Sequence, residues 1–464
     1  MNRKVCQPMM HILSRNTAYI LLRIPSLRLL SSEALLSLSK EDCPFFFLCE
    51  TGIVAPESTD FSFWIDQAAG SGAEMVYAEF AGHPLIDVQG HPFRDDFDFG
   101  KMILVSRELL LRAVGFLPGR PLQWAALYHL KLCCRKFCRL GPGLYEACEP
   151  DQRKSGEKQF DYVNPAQREV QVEMEQVFTD FLRRENALVF PCHRMALPEA
   201  PVEVLQEASP QADRAGRPLA SVVIPVRNRV KTIADAVESA LSQQAPFPYN
   251  IIVVDNHSTD GTTEILRTRA AVSPNLVHLI PSRTDLGIGG CWNEAVRYEA
   301  CGDYVVQLDS DDVYAGPDTL VRMVDAFRKR GAAMVIGAYR MTDFQLRPLP
   351  PGIIDHREWT DENGPNNALR INGLGAPRAF RREVLLEHPF PNVSYGEDYA
   401  AGLVLSEKYL LERVWEPVYC CRRWEGNSDA ALSQEKINAN NRYKDALRWQ
   451  AFRRRQAQAQ DSGK

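Results

Sequence analysis

The chain has 464 residues, enough for two substantial cores, and its 45% hydrophobic and 24% charged residues are those of an ordinary globular protein. A net charge of -5, with no basic stripe interleaved with aromatics, argues against a general nucleic-acid binder. Its twelve cysteines sit mostly in apolar runs, as at Cys49, Cys301, Cys420 and Cys421, where a thiol serves as a small hydrophobe, so a reducing cytoplasm is the expected setting.

Residues 1–40 carry six basic side chains and one acid, Glu33. The apolar residues Ile20, Leu21, Leu22, Ile24, Leu27, Leu29 and Leu30 are interrupted by Arg23 and Arg28, too broken a run to span a membrane. This stretch is expected to be a disordered or loosely docked leader, with an amphipathic helix on an anionic membrane surface as the alternative.

Residues 41–205 read as an α/β segment without a catalytic motif. Strands are expected at Phe45–Leu48, Met75–Phe80 and Met102–Val105, and helices at Phe61–Ala69, Arg107–Val114, Trp124–Cys138 and Pro165–Glu185. An Asp-rich loop, Asp95–Asp98, lies between them. Cys133, Cys134, Cys138 and Cys148 lack the paired C-x-x-C spacing of a zinc site.

The same segment reads as a worn copy of a later one. Trp64-Ile65-Asp66 and Gly72-Ala73-Glu74-Met75-Val76 align on Met323-Val324-Asp325 and Gly331-Ala332-Ala333-Met334-Val335 at an offset of 259, and Gly100, Arg107-Glu108, Leu110-Leu111 and Ala125-Ala126 align on Gly375, Arg382-Glu383, Leu385-Leu386 and Ala400-Ala401 at an offset of 275. Aligning Leu48 on Leu308 sets Cys49, Glu50, Thr51 and Gly52 opposite an acidic cluster, and Leu122-Gln123 opposite Glu397-Asp398, so the copy is expected to be noncatalytic.

Residues 206–219 are polar and rich in Pro and Gly, a linker by composition. Residues 220–435 then read as the catalytic domain. Ala220–Val226 and Tyr249–Val254 are continuous apolar runs of the kind buried on both faces of a parallel sheet, and each ends in a polar loop where open α/β sheets bind ligands. Asp255 is placed to accept from a base or ribose. Ser258 and Asp260 are placed to cap a helix near Thr262. After a short strand at Leu279-Ile280, Gly287, Gly289 and Gly290 would let the backbone pass close to a ligand, with Asn293 in the helix beyond.

The strand Tyr304–Leu308 runs into Asp309, Ser310, Asp311 and Asp312. Carboxylates so close repel one another, and a hard divalent cation between them relieves this. Mg²⁺ or Mn²⁺ accepts one or two carboxylates and fills its shell with water and phosphate oxygens, which makes the cluster a diphosphate holder. Further along, Glu397-Asp398 opens a helix. It can supply the carboxylate that takes a proton from an attacking hydroxyl, or act only as a helix-terminal acid. Trp359 and Trp424 are candidates to stack on a sugar, and Arg422–Ser428 a loop to close over a diphosphate. Residues 436–464, basic and helical, are expected to present a solvated face, with membrane contact as the alternative.

Ser-Val-Val-Ile-Pro-Val-Arg-Asn-Arg from Ser221, Val-Val-Asp-Asn-His-Ser-Thr-Asp-Gly-Thr from Val253, Leu308-Asp309-Ser310-Asp311-Asp312 and Gly396-Glu397-Asp398-Tyr399, in that order and spacing, resemble glycosyltransferase family 2. The resemblance covers about residues 219 to 430. It implies an α/β, Rossmann-like GT-A domain, here preceded by a degenerate GT-A-like one. It also implies inverting transfer from a nucleotide-sugar, a UDP-sugar first among the candidates, to a sugar or lipid-linked acceptor. Carried onto this chain, it puts the donor on Pro225, Arg227, Asn228, Asp255, Ser258, Gly287, Gly289, Asn293, Asp309 and Ser310, the metal on Asp309, Asp311 and Asp312, and the base on Asp398 with Glu397 beside it. Arg227 departs from the Tyr or Phe that members often carry there, which leaves the nucleobase open. The implied setting is the cytoplasm, at the inner face of a membrane. A sugar nucleotidyltransferase is the competing enzyme class, but the loop after its first strand is usually Gly-rich and here reads Val-Arg-Asn-Arg. A noncatalytic carbohydrate-binding scaffold is disfavoured by the intact acids.

Overall fold

The computed structural model describes residues 11–15, 17–51, 53–54, 61–80, 82–147, 153–158, 161, 164, 167–198, 217–359 and 363–462. In the front half, short aromatic and aliphatic runs form β1 (His11–Arg15), β2 (Tyr19–Ile24), β3 (Phe45–Glu50), β4 (Ile53–Val54), β5 (Met75–Ala78), β6 (Met102–Ser106), β7 (Phe137–Leu140) and β8 (Glu146–Ala147). Six of these make one sheet in the order β1-β2-β3-β6-β5-β7, and β4 pairs with β8.

Residues 17–38, expected as a leader or a membrane-surface helix, belong to this sheet and its cover. β2 lies parallel to β3 with Ile20, Leu22 and Ile24 buried in strict alternation, and the helix Ser32–Ser39 buries Leu35 and Leu38. The charged interruption at Arg23 falls on the other face of a strand, a period of two in place of a helical one. Residues 1–10 of that leader lie outside the described residues. The helix expected over Trp124–Cys138 is also shorter, Ala126–Cys133, because Phe137 and Cys138 enter β7 beside β5.

The back half adds β9 (Ala220–Val226), β10 (Tyr249–Asp255), β11 (Leu276–Leu279), β12 (Tyr304–Gln307), β13 (Val313–Tyr314), β14 (Met334–Thr342), β15 (Pro348–Ile354), β16 (Arg378–Arg381) and β17 (Leu411–Arg422). They form one sheet in the order β11-β10-β9-β12-β16-β14-β17-β13, with β15 on β14. β11, β10, β9 and β12 are parallel, so the loops after β9, β10 and β12 gather at one edge.

The two sheets pair alike. β3-β6-β5-β7 runs antiparallel, antiparallel, parallel, as does β12-β16-β14-β17. Phe45↔Ser106 in the front corresponds to Tyr304↔Arg381 in the back, offsets of 259 and 275, and Met75↔Val105 corresponds to Met334↔Phe380 at the same two offsets. β2 lies parallel to β3 as β9 does to β12. In this register Glu50, not Cys49, stands at the place of Asp309.

One hydrophobic core joins the halves, taking Leu22, Phe46, Ile103 and Phe178 from the front and Val223, Ile252, Trp292 and Leu374 from the back. The helix Gln434–Ser462 is the seam. Phe452 packs on Phe93 and Phe181 at ring separations of 5.0 and 5.9 Å. Lys444, Arg448 and Arg455, expected on a solvated face, are buried. Arg448 donates to the carbonyls of Leu369 and Ile371 and to Asp445, and Asp445 in turn accepts from Arg94. Buried charges persist only where partners meet them, and these partners come from distant parts of the chain. Arg442, Arg453 and Arg454 are exposed as expected. Residues 206–216 of the expected linker lie outside the described residues. Among the described residues no helix is long and apolar enough to cross a membrane.

Candidate active site

The acids follow β12 and are fixed by its neighbours. Tyr419 of β17 accepts the Asp309 N–H on its hydroxyl at 3.0 Å, and Gln307 donates to Asp309 Oδ1 at 2.8 Å. Asp312, 4% exposed, accepts the Arg422 N–H at 2.7 Å. Asp311 turns one oxygen to Trp424 Nε1 and Asn427 Nδ2, at 3.3 and 3.1 Å, which ties the expected closing loop to the acids. Burial pushes the Asp309 carboxyl up against its Gln307 hydrogen bond and the Arg378 charge. Burial, then the charges of Asp309 and Asp311, raises Asp312 much further. Both therefore resist ionising together unless a cation joins them.

Among the described residues no three His, Cys, Asp or Glu side chains converge as a metal cage. The three acids thus do not close on one point. Half-buried Asp309 and buried Asp312 on a cavity wall still fit a hard divalent ion that completes its shell with phosphate and water. That cavity, about 2160 Å³, is lined by Asp309, Asp312 and Arg378 on the back half and reaches the front sheet.

Arg378 opens β16. Its N–H donates to Gln307 Oε1 at 3.1 Å, and its guanidinium meets Asp398 at 2.5 Å. Gln307 joins the Arg378 N–H to Asp309, and the guanidinium holds Asp398, so the acids after β12 and the late acid pair meet at one arginine. Burial alone would raise Asp398, but Arg378, Lys444 and the Tyr399 N–H outweigh it and hold the carboxyl below its ordinary range. Glu397, 9% exposed, is pushed by burial and then by the Asp398 charge to about 8. The adjacent acids are thereby split, Asp398 ionised and Glu397 protonated at neutral pH.

A stability profile follows from Glu397. The folded chain holds this proton more tightly than the unfolded one, so its contribution is full below about 4.5 and is lost as pH rises through about 8. Thermal melts of the metal-free chain across that window should show Tm falling with pH, and Glu397→Gln should flatten the fall. An unchanged slope in the variant would assign the loss to other groups.

Several donor-site expectations are corrected. Asp255 is fully buried, and its oxygens accept the Ser258 N–H at 3.0 Å, the Thr263 hydroxyl at 2.5 Å and His278 Nε2 at 3.2 Å. It holds its own loop and presents no oxygen to a nucleoside. Asn293 clamps Phe390 through both its N–H and its carbonyl and is likewise structural. The glycines make room for chain, not ligand: a Cβ on Gly287 would stand 2.5 Å from the Val393 carbonyl carbon, and one on Gly289 2.0 Å from the Pro391 oxygen. Gly289→Ala should therefore destabilise the fold by about 3 kcal/mol or more, read by denaturant melts. A loss under about 1 kcal/mol would mean that the 391–394 backbone yields freely. Trp359 is 2% exposed and packs beneath Gly364, so it cannot stack on a sugar.

Arg227 and Asn228 are exposed at the end of β9 beside half-buried Pro225, Ser258 accepts the Asn228 N–H at 3.0 Å, and Ser310 sits between the acids at 8% exposure. Asp260 accepts the Thr262 N–H at the helix start. Sequence reasoning missed Arg378 and Tyr419. The only signal for Arg378 was a basic residue heading a strand whose next residues, Ala379 and Phe380, are buried.

A parallel sheet with acids at its carboxyl edge, an antiparallel extension and a second acid pair across an arginine define a nucleotide-sugar transferase of the GT-A fold. The model of the family described as Glycosyl transferase family 2 matches residues 221–387. TuaG of Bacillus subtilis strain 168, a glycosyltransferase named for teichuronic acid biosynthesis, is 30% identical over 192 residues, 41% of this chain and 73% of that protein. The chain belongs to glycosyltransferase family 2. The chondroitin synthase of Escherichia coli is 40% identical over 112 residues, 24% of this chain, and the chain spans only 16% of that relative's length. Among solved structures, S. aureus TarS 1–349 in complex with UDP-GlcNAc aligns with a TM-score of 0.40 at 21% identity, covering 49% of this chain and 65% of that one.

Proposed function

We propose that the chain is a metal-dependent, inverting glycosyltransferase that extends a polysaccharide or glycoconjugate. The observation that carries this is Arg378, whose guanidinium grips Asp398 while its N–H meets Gln307, the residue that donates to Asp309. Asp309 and Asp312 would hold Mn²⁺ or Mg²⁺, which as a Lewis acid would neutralise charge developing on a departing nucleoside diphosphate. The Trp424–Asn427 turn, pinned to Asp311, covers that side. Arg227, Asn228 and Ser310 are exposed or adjacent to the donor edge and orient the nucleotide. Across the site, Asp398 accepts the proton of the acceptor hydroxyl as it attacks the opposite face of the sugar, which inverts the anomeric centre. Arg378 keeps Asp398 ionised and aimed.

The relatives' names, teichuronic acid biosynthesis and chondroitin synthase, support a polymeric product. The matched pairing and register of β3-β6-β5-β7 and β12-β16-β14-β17 support a front half that is a degenerate, noncatalytic copy, with Glu50 alone left of the acids, serving as the acceptor wall. A thermal-shift screen of nucleotide-sugars with and without Mn²⁺ tests the reading. One donor class should raise Tm by a margin that needs the metal. Equal shifts without metal would remove the diphosphate-holding role of the acids.

A further inference from the structure

The cavity of about 2160 Å³ is larger than a donor requires, since small-ligand pockets run to about 1,000 Å³. Its far wall, built by the front half, carries Arg28, Asp95, Asp96, Asp98, Lys101 and Lys131. Each of these carboxylates, and Glu50 with them, has a side-chain partner. Glu50 pairs with Lys101 at 3.4 Å, Asp96 with Arg94 at 2.8 Å, Asp98 with His83 at 2.7 Å, and Asp95 with Arg370. Two cations of this wall, Lys131 and Arg28, are paired with none of these carboxylates. Among the described residues neither makes an ion pair.

Lys131 is the more telling. It is 7% exposed on the helix Ala126–Cys133, and its ammonium donates only to the Phe97 carbonyl at 3.3 Å while lying 4.5 Å from the Phe99 ring centre. An ammonium has three N–H donors, so two are left for something in the cavity. Burial and the Arg28 charge outweigh Asp98 and Asp95 and push its pKa down to about 7. Arg28 is exposed on the turn Leu27–Leu29, which is held in place because Glu50 accepts from Ser26 Oγ at 2.9 Å and from the Leu27 N–H at 2.8 Å. A bound anion favours the charged ammonium, and Lys131 with Arg28 then match one phosphomonoester, which carries about -2 near neutral pH.

We propose that Lys131 and Arg28 form an anion seat at the front end of the cleft, binding a phosphoryl group carried by the acceptor. The inference rests on the transferase reading for the word acceptor. The seat itself is tested apart from it.

Calorimetric titration of the full chain with glucose 1-phosphate, inorganic phosphate and glucose, on wild type, Lys131→Met, Arg28→Gln and Asp309→Asn, decides it. Both phosphates should bind wild type and glucose should not, and each front-wall substitution should weaken phosphate binding about tenfold or more. Asp309→Asn should keep the phosphate and lose Mn²⁺-dependent UDP binding. The Tm of Lys131→Met should stay at or above wild type, because methionine fills the space without burying a charge. A fall in Tm would mark Lys131 as a structural donor and overturn the seat. Phosphate binding unchanged in both front-wall variants, lost in Asp309→Asn, or confined to inorganic phosphate overturns it as well. In each of those cases Mn²⁺-dependent UDP binding by wild type leaves the transferase reading standing, and its absence would remove that reading independently.

Discussion

Asp309→Asn is expected to lower transfer by on the order of a thousandfold, several kcal/mol of lost charge stabilisation at the departing diphosphate. The substitution keeps the side chain's shape and its place against Gln307 and Tyr419, and it removes one of the acids whose mutual repulsion raises Asp312. The metal-free variant should therefore melt no lower than wild type. Steady-state turnover with a nucleotide-sugar and Mn²⁺, read beside a thermal melt, separates the two effects. Lost turnover with a sharply lowered Tm would make Asp309 a structural acid, and retained turnover would take it out of the site.

Asp398→Asn should cost about 10² to 10⁴ in kcat while the donor KM stays near wild type, the signature of a lost general base. With the Asp398 charge removed, only burial and the lesser Asp309 charge are left to raise Glu397, so any residual rate should come from that carboxyl and disappear in the double variant Asp398→Asn, Glu397→Gln. Removing the Asp398 charge also frees Arg378, whose nearest remaining acid in the site is Asp309. Some rise in donor KM through that shift is compatible with a base. A large loss of donor affinity with kcat retained is not, and would make Asp398 a structural partner of Arg378.

Much of the back half is legible because its signals are local. Val222, Val223, Ile224 and Ile251–Val254 are apolar on both faces, which only a central parallel strand requires, and the acids fall where β12 leaves the sheet. The glycines at 287 and 289 announce a close approach, but a sequence cannot say to what, and here it is the chain at 391–394. Asp255 reads as a ligand group because it ends a strand. Its three donors, Ser258, Thr263 and His278, are satisfied only once helix and strand have packed. Arg378 carries no motif, and its meaning lies in joining Asp398 to Gln307, which holds Asp309. The C-terminal helix fails for the same reason, since Arg94, Asp445 and Arg448 meet across more than 350 residues of chain. The leader is not legible, because the alternation over six residues in β2 is masked by Arg23 within it.

The anomalous scattering of Mn²⁺ in crystals grown with UDP tests the central claim most directly. A metal peak bonded to carboxylate oxygens among Asp309, Asp311 and Asp312, bridged to the UDP phosphates, with Asp398 facing it beside Arg378, is the predicted result. UDP bound with no metal at those acids, or a metal bound elsewhere, contradicts it.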